Sequence, residues 1–293
     1  MELTDLLTFS AVARTGGITR AAEELNTVQS NVTQRVKALE AEIGTALFER
    51  HSRGMTLTGA GRRLLPYAQR MAALSREAIL AACDDGEAKG PLAIGSMETT
   101  AAVRLPTLLA SFHRRFPAVR LSLRTATTAD LGAGGLDGRL DGGFVAGPID
   151  HADLIATVAF REELVLVTAR HLKSLAELRE ATPESGPTAL VFRTGCTYRQ
   201  RLEQVLTEFG WPSATRFELG TLDGMVGCVA AGMGVTLLPR ALVERNDAVS
   251  VHALGAAQSR VETLFITRRA AHEYSALRGF VACLHGQEAD IAA

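Results

Sequence analysis

The sequence predicts an α + α/β chain: an N-terminal winged helix-turn-helix, a long linker helix, and a C-terminal α/β domain built as two lobes. Three observations predict it. Apolar residues recur with helical spacing through three short stretches before residue 44; a basic, hairpin-like turn and a long apolar-striped helix follow; and from about residue 91 short β-rich runs alternate with helices. A chain of 293 residues, 47% apolar and 22% charged, has room for two cored units. The expected boundaries are 1–58 for the winged unit, 59–88 for the linker helix and hinge, and 89–293 for the two-lobed domain, with lobe 1 at about 91–161 and 266–293 and lobe 2 at about 162–265.

The first helix is read from Leu3 to Arg14, where Leu3, Leu6, Leu7, Phe9, Val12 and Ala13 share a face and Gly16-Gly17 stops the run. Thr19 is expected to cap a second helix through Ala21, Ala22 and Leu25, with Glu23 completing the cap and Asn26 ending it. A third helix, from about Gln29 to Ile43, buries Val32, Val36, Leu39 and Ile43 and turns Ser30, Thr33, Gln34 and Lys37 outward; Gly44 ends it. Two short helices crossing on small residues, a tight turn, and a third helix with a polar start form a helix-turn-helix plan. Ala46 to Thr58 then reads as a hairpin wing with its polar turn at His51 to Gly54.

A net charge of −1 looks unsuited to a nucleic-acid binder, yet from Arg50 to Arg63 the chain carries Arg50, Arg53, Arg62, Arg63 and His51 without an acid. In isolation such a strip is most simply a solvated surface. Next to the third helix it assigns base readout to Gln29, Ser30, Thr33 and Gln34 and phosphate contacts to Lys37, Arg50 and Arg53, with Thr27 and Asn31 also among the DNA-contacting residues.

Gly59 to about Ala82 forms a long helix with Leu64, Ala68, Met71, Ser75, Ala78, Ile79 and Ala82 on one stripe, Pro66 interrupting only its first turns. A narrow stripe on such a helix suits a two-stranded dimer contact, and Asp84 to Pro91 is a polar hinge. No run approaches the length of a membrane helix, and Met1 to Phe9 has no secretory character, so a cytoplasmic protein is expected. Four cysteines without paired spacing argue against a zinc knot or a disulfide scaffold; neither metal nor cofactor is expected.

Two βαβ sets follow. The first comprises LAIGS, a helix around Val103 to Phe116, VRLSLRT, a Gly-broken helix and DGGFVAG. The second comprises ELVLVTA, TALVF, a helix from Cys196 to Phe209, TRFELG, a helix from Leu222 to Ala231, and VTLLP, before ETLFITRR and a last helix from Ser275 to Leu284. Small molecules bind where strand C-termini meet helix N-termini, which selects Ser96, Thr99, Thr100, Thr127, Thr128, Cys196, Tyr198 and Thr221 as candidate effector contacts. Ordinary helix capping is the alternative for each hydroxyl. The hydroxyl-rich helix starts suggest a small anionic ligand, with Arg193 or Arg199 adding charge.

The segment FSAVARTGGITRAAEELNTVQSNVTQRVKALEAEIGTALFERHSRGMTLTGAG, from Phe9 to Gly61, resembles the DNA-binding half of the LysR-type transcriptional regulators almost position for position. GPLAIGSMETTAAVRLPTLLASFHRRFPAVRL and VAAGMGVTLLPR resemble two further landmarks of that family, so the likeness spans essentially the whole chain. One departure is QSNV, Gln29 to Val32, where many members carry Pro and Ala ahead of the Val. The resemblance implies a transcriptional regulator whose C-terminal domain resembles type 2 periplasmic-binding proteins and holds a small-molecule effector between its lobes. The implied partners are double-stranded promoter or operator DNA, the effector, RNA polymerase, and further copies of the chain in a homodimer or homotetramer. It singles out Thr99, Thr128 and Cys196 in the cleft.

Cys196 also lies where peroxide-sensing members of that family carry a reactive thiol, and a helix N-terminus between Arg193 and Arg199 would lower its pKa. That leaves a thiol-sensing regulator as an alternative, although no resolving cysteine follows within a few residues. An enzyme pairing Cys196 with His171 or His252 has no supporting motif, and a solute-binding transport protein would account only for the C-terminal half.

Overall fold

The computed structural model describes residues 1–51, 54–182, 184–269 and 274–291, with side chains to Gly286. It divides into two compact units, Met1–Asp84 and the chain from Asp85 onward apart from Leu136–Arg139.

The first unit holds α1 (Leu3–Thr15), α2 (Ile18–Glu24), α3 (Gln29–Ile43), the hairpin β1 (Phe48–His51) and β2 (Gly54–Leu57), and α4 (Gly59–Ala82). Its core gathers Leu6, Phe9, Val12, Ala21, Val32, Val36, Leu39, Leu47, Phe48 and Ala68, with the Phe9 and Phe48 rings 5.3 Å apart. Gly16 and Gly44 end α1 and α3 in the left-handed region, as their lack of a Cβ permits. Thr19 is not a cap: the N-cap is Gly17, two residues earlier, and α2 begins at Ile18, so Thr19 lies inside the first turn. The Glu40 carboxylate accepts from the amides of Leu47 (2.8 Å) and Phe48 (3.2 Å), fixing the entry to the wing against α3, and Met55 N donates to Gly16 O at 2.9 Å. Gly61 admits no side chain, since a Cβ there would stand 2.2 Å from Leu47 O.

The stripe expected on α4 divides. Leu64 and Ala68 pack on the unit's own core, while the exposed apolar residues are Tyr67, Met71, Leu74 and Ile79. The α4 residues nearest the winged unit must close its core, which leaves the free stripe on positions 67, 71, 74 and 79.

The second unit runs β3 (Gly90–Ser96), α5 (Glu98–Val103), α6 (Leu105–Arg115), β4 (Val119–Thr125), α7 (Thr128–Leu136), β5 (Gly142–Ala146), β6 (Leu154–Ala169), α8 (Leu175–Ala181), β7 (Ala189–Val191), α9 (Thr197–Glu208), β8 (Arg216–Glu218), α10 (Leu222–Ala230), β9 (Thr236–Pro239), α11 (Arg240–Val243), β10 (Val249–Ala253), α12 (Ala256–Ser259), β11 (Arg260–Arg268) and α13 (Ser275–Ile291). The sheet order is β10-β6-β11-β5-β3-β4, with β9 also paired to β6 and with β7-β8 a separate pair. The pairs β3-β4 and β3-β5 are parallel, as helical crossovers require, and every partner of β6 is antiparallel.

The 16-residue β6 serves both lobes. Its first half pairs with β11, whereas its second half, buried from Leu164 to Ala169, pairs with β9 and β10. Since β11 begins at Arg260 and joins β5 and the first half of β6, residues 260–265 belong with lobe 1, not with lobe 2 as the sequence suggested. Phe112, Phe144, Phe160, Phe265 and Phe280 form the aromatic centre of lobe 1, and Leu190, Met225, Val229 and Leu238 lie in the core of lobe 2.

Lobe 2 also holds a buried histidine. His252 on β10, 6% exposed, has Nε2 2.8 Å from Thr168 Oγ1, and burial lowers its pKa more than Glu177 raises it. The unfolded chain therefore takes up this proton near pH 6.5 and the folded chain only at lower pH, so stability falls as pH drops through that interval, by at most about 1.4 kcal/mol per pH unit. Urea midpoints between pH 7.5 and 5 are expected to show this slope in the wild type and a flatter one in His252→Gln.

Candidate DNA-reading face and ligand cleft

On α3, Val32, Val36 and Leu39 face the core, and Gln29, Ser30, Gln34 and Lys37 are exposed. Thr27, Asn31 and Thr33 are half-buried and partly engaged: Asn31 Nδ2 donates to Thr27 Oγ1 at 2.9 Å, and Thr33 Oγ1 donates to Gln29 O at 2.8 Å. These two bonds hold the start of α3, and the fully presented groups are the amides of Gln29 and Gln34, the Ser30 hydroxyl and the Lys37 ammonium. Val28 provides no side-chain cap, an uncapped helix start of the kind that accepts a phosphate. Arg50 is exposed on β1, opposite Met55, and Arg62 and Arg63 are exposed on α4; Arg53 lies outside the described residues.

In the second unit a cleft of about 310 Å³ opens between the lobes. Lobe 1 contributes Thr99, Thr127 and Thr128 to it, and lobe 2 contributes Cys196, Tyr198 and Thr221. Ser96 and Thr100 do not line it. Both are buried, and Ser96 Oγ donates to Met97 O, because the residues between a strand end and a helix start alternate between the cleft and the core behind it.

Thr127 and Thr221 also act as caps, Thr127 Oγ1 accepting from Asp130 N at 3.2 Å and Thr221 Oγ1 from Gly224 N at 3.3 Å. Thr128 Oγ1 donates toward Met97 Sδ and accepts from Thr197 Oγ1 across the cleft at 3.3 Å. Tyr198 is buried, its hydroxyl makes no hydrogen bond of normal geometry, and burial pushes its pKa up, so it stays protonated.

Cys196 does not have the lowered pKa expected of it. It precedes α9, but burial pushes the thiol up against the weaker opposing pull of the Arg199 and Tyr198 amides, and Arg199 is itself drawn to Glu218 at 3.0 Å and Glu203 at 3.4 Å. A protonated, half-buried thiol is a poor peroxide sensor.

Three acids escaped sequence reasoning. Glu98 and Asp130 line the cleft, and Glu98 Oε1 accepts from Leu222 N of the opposite lobe at 2.9 Å. Glu162, where β6 passes between lobes, is held in a two-point ion pair by Arg104 at 2.8 and 3.0 Å. Glu98 and Asp130 occupy first turns of helices beside threonines already singled out, a signal that was available; the pairing of Arg104 with Glu162 across 58 positions was not.

Residues 3–62 match the model of the bacterial regulatory helix-turn-helix protein, lysR family, and residues 85–289 that of the LysR substrate binding domain. Among curated proteins the chain is 44% identical over 284 residues to the HTH-type transcriptional regulator YusT of Bacillus subtilis, covering 96% of this chain and 94% of that one. It is 40% identical to the regulator GltR of the same organism, covering 92% and 91%. Among solved structures, a full-length OxyR from Pseudomonas aeruginosa superposes with a TM-score of 0.70 at 22% identity over 97% of this chain and 95% of that one. Full-length CbnR complexed with its target DNA gives 0.67 at 25% identity, covering 98% and 99%.

Proposed function

Since this chain belongs to the LysR family of DNA-binding transcriptional regulators, which are not enzymes, we propose that it is a cytoplasmic regulator acting on its operator as a homodimer or as a homotetramer built from two such dimers. Its activity is set by a small carboxylate-bearing effector bound between the two lobes. The observation that carries the DNA reading is the division of α3 into a buried Val32-Val36-Leu39 face and an exposed Gln29-Ser30-Gln34-Lys37 face beside a wing carrying Arg50. In a major groove, amide and hydroxyl side chains on such a face read base edges, while Lys37, Arg50 and Arg53 neutralise phosphates. The exposed Tyr67-Met71-Leu74 stripe of α4 supports pairing of two chains. Effector binding would change how far the lobes close and thereby the presentation of the paired reading helices to DNA and to RNA polymerase.

Fluorescence anisotropy of the full-length protein on its own upstream intergenic DNA, titrated with salt, tests this reading. Tight binding that weakens steeply with salt is expected. Arg50→Ala should weaken all sequences alike and reduce the slope of log affinity against log salt by about one, whereas Gln29→Ala should relax preference at one position by about 1–3 kcal/mol. Absence of binding at any salt concentration from a folded protein would overturn the reading.

A further inference from the structure

Taking the cleft as the effector site, we infer that its ligand is a zwitterion of the α-amino-acid type, with the ammonium held by the lobe 1 wall and the carboxylate by the lobe 2 wall. The charged side chains lining the cleft are divided by lobe: Glu98 and Asp130 come from lobe 1, and Arg193 comes from lobe 2. Neutral donors orient both carboxylates. Glu98 Oε1 accepts from Leu222 N at 2.9 Å and Asp130 Oδ2 from the Thr127 hydroxyl at 2.9 Å, and neither has a cation within ion-pair distance among the described residues. Their negative charge is fixed in place and left uncompensated. Arg193 likewise has no carboxylate within ion-pair distance among the described residues.

A purely anionic ligand would satisfy Arg193 and set its own charge against two carboxylates; a simple amine would leave Arg193 unmatched. A molecule carrying both charges a few bonds apart satisfies both walls and joins them.

A separate observation marks the cleft as built for a polar guest. Tyr198, only 2% exposed, is among the residues lining it, and its buried hydroxyl, beside Thr99, makes no hydrogen bond of normal geometry. Burying such a group unsatisfied is unfavourable, and a ligand carboxylate or side-chain oxygen would relieve it. Met97, Phe192 and Leu219 supply an apolar patch for a short side chain, and a volume of about 310 Å³ suits a molecule of this size.

The test is isothermal titration of the full-length protein with the twenty standard L-amino acids, each bound one then compared with its deaminated acid and its decarboxylated amine; for L-valine these are 3-methylbutanoate and isobutylamine. At least one amino acid is expected to bind, with both analogues weaker by roughly tenfold or more. Glu98→Gln keeps an oxygen acceptor for Leu222 N and removes the charge, and Asp130→Asn does the same for the Thr127 hydroxyl. Each should shrink the preference for the amino acid over its deaminated analogue, and Arg193→Gln should shrink the preference over the amine. Deaminated acids binding as tightly as amino acids, or preferences unmoved in all three variants, would overturn the inference. If simple mono- and dicarboxylates bind and no amino acid does, the zwitterion fails and the effector cleft stands; if none of these compounds binds, the cleft assignment fails with it.

Discussion

Arg104→Ala is expected to destabilise the C-terminal unit by about 3 kcal/mol or more, the penalty typical of removing one partner from a buried ion pair. The Glu162 side chain is 4% exposed and that of Arg104 is 25% exposed, so the carboxylate has little water to turn to once the guanidinium is gone. Arg104 also lies over the Phe160 ring, 5.8 Å from its centroid, so part of the loss is packing. A charge-free version distinguishes the two contributions: Glu162→Gln in the Arg104→Ala background removes the stranded charge and should recover much of the loss, which a purely steric account would not predict. Urea denaturation of the four combinations as a double-mutant cycle gives the coupling directly. An Arg104→Ala loss below about 1 kcal/mol would show that solvent reaches Glu162 and that the pair does not lock the lobe crossing.

Phe9→Ala is expected to destabilise the winged unit by about 3–5 kcal/mol, a large share of what a unit of this size possesses. Phe9 is fully buried, packs against Phe48 of the wing, and belongs to the core that also holds Val32 and Val36, the inward side of the reading helix. Its removal therefore opens a cavity beneath α3 itself. DNA binding should be lost in anisotropy while ligand binding at the cleft persists, because the cleft is lined wholly from the other unit. Simultaneous loss of both would mean that the two units do not unfold separately.

Periodicity made the helices of the winged unit legible: α3 runs from Gln29 to Ile43 as the spacing of Val32, Val36 and Leu39 and the stop at Gly44 indicated, although Ile43, expected in the core, is exposed at the helix end. The wing was legible from its turn chemistry. The first half of β6 was not, because the run recognised as a strand starts only at Glu163, behind Arg161 and Glu162; these stay in the strand, where Arg104 pairs with Glu162 and Arg240 with Glu163. Local pattern shows that a segment is half-polar and does not show which partners will satisfy the polar half. The cleft was legible to the same extent. Threonines beside strand ends pointed to the right helix starts, but whether Ser96 and Thr100 or Thr99 and Thr128 line the opening depends on how the strand-to-helix turn is oriented, and the thiol pKa of Cys196 depends on burial that no spacing reveals. The α4 stripe was legible only in part for a related reason: Met71 and Ile79 remain free, but Leu64 and Ala68 are taken by the unit's own core, since one helix serves its own core first and a second surface only with what is left.

The position of β11 between β5 and β6 has a consequence for biosynthesis. As the chain leaves the ribosome, β3, β4, β5 and the first half of β6 emerge long before Arg260–Arg268, and all of lobe 2 is made in the interval. Lobe 2 thus has its full set of strands first, while the outer groups of β5 wait as an open edge for a segment made more than a hundred residues later. During that wait the nascent chain exposes an apolar strand, carrying Phe144 and Val145 and paired on one side only, with β3, and it is there that a chaperone, or another nascent copy, would be expected to engage it.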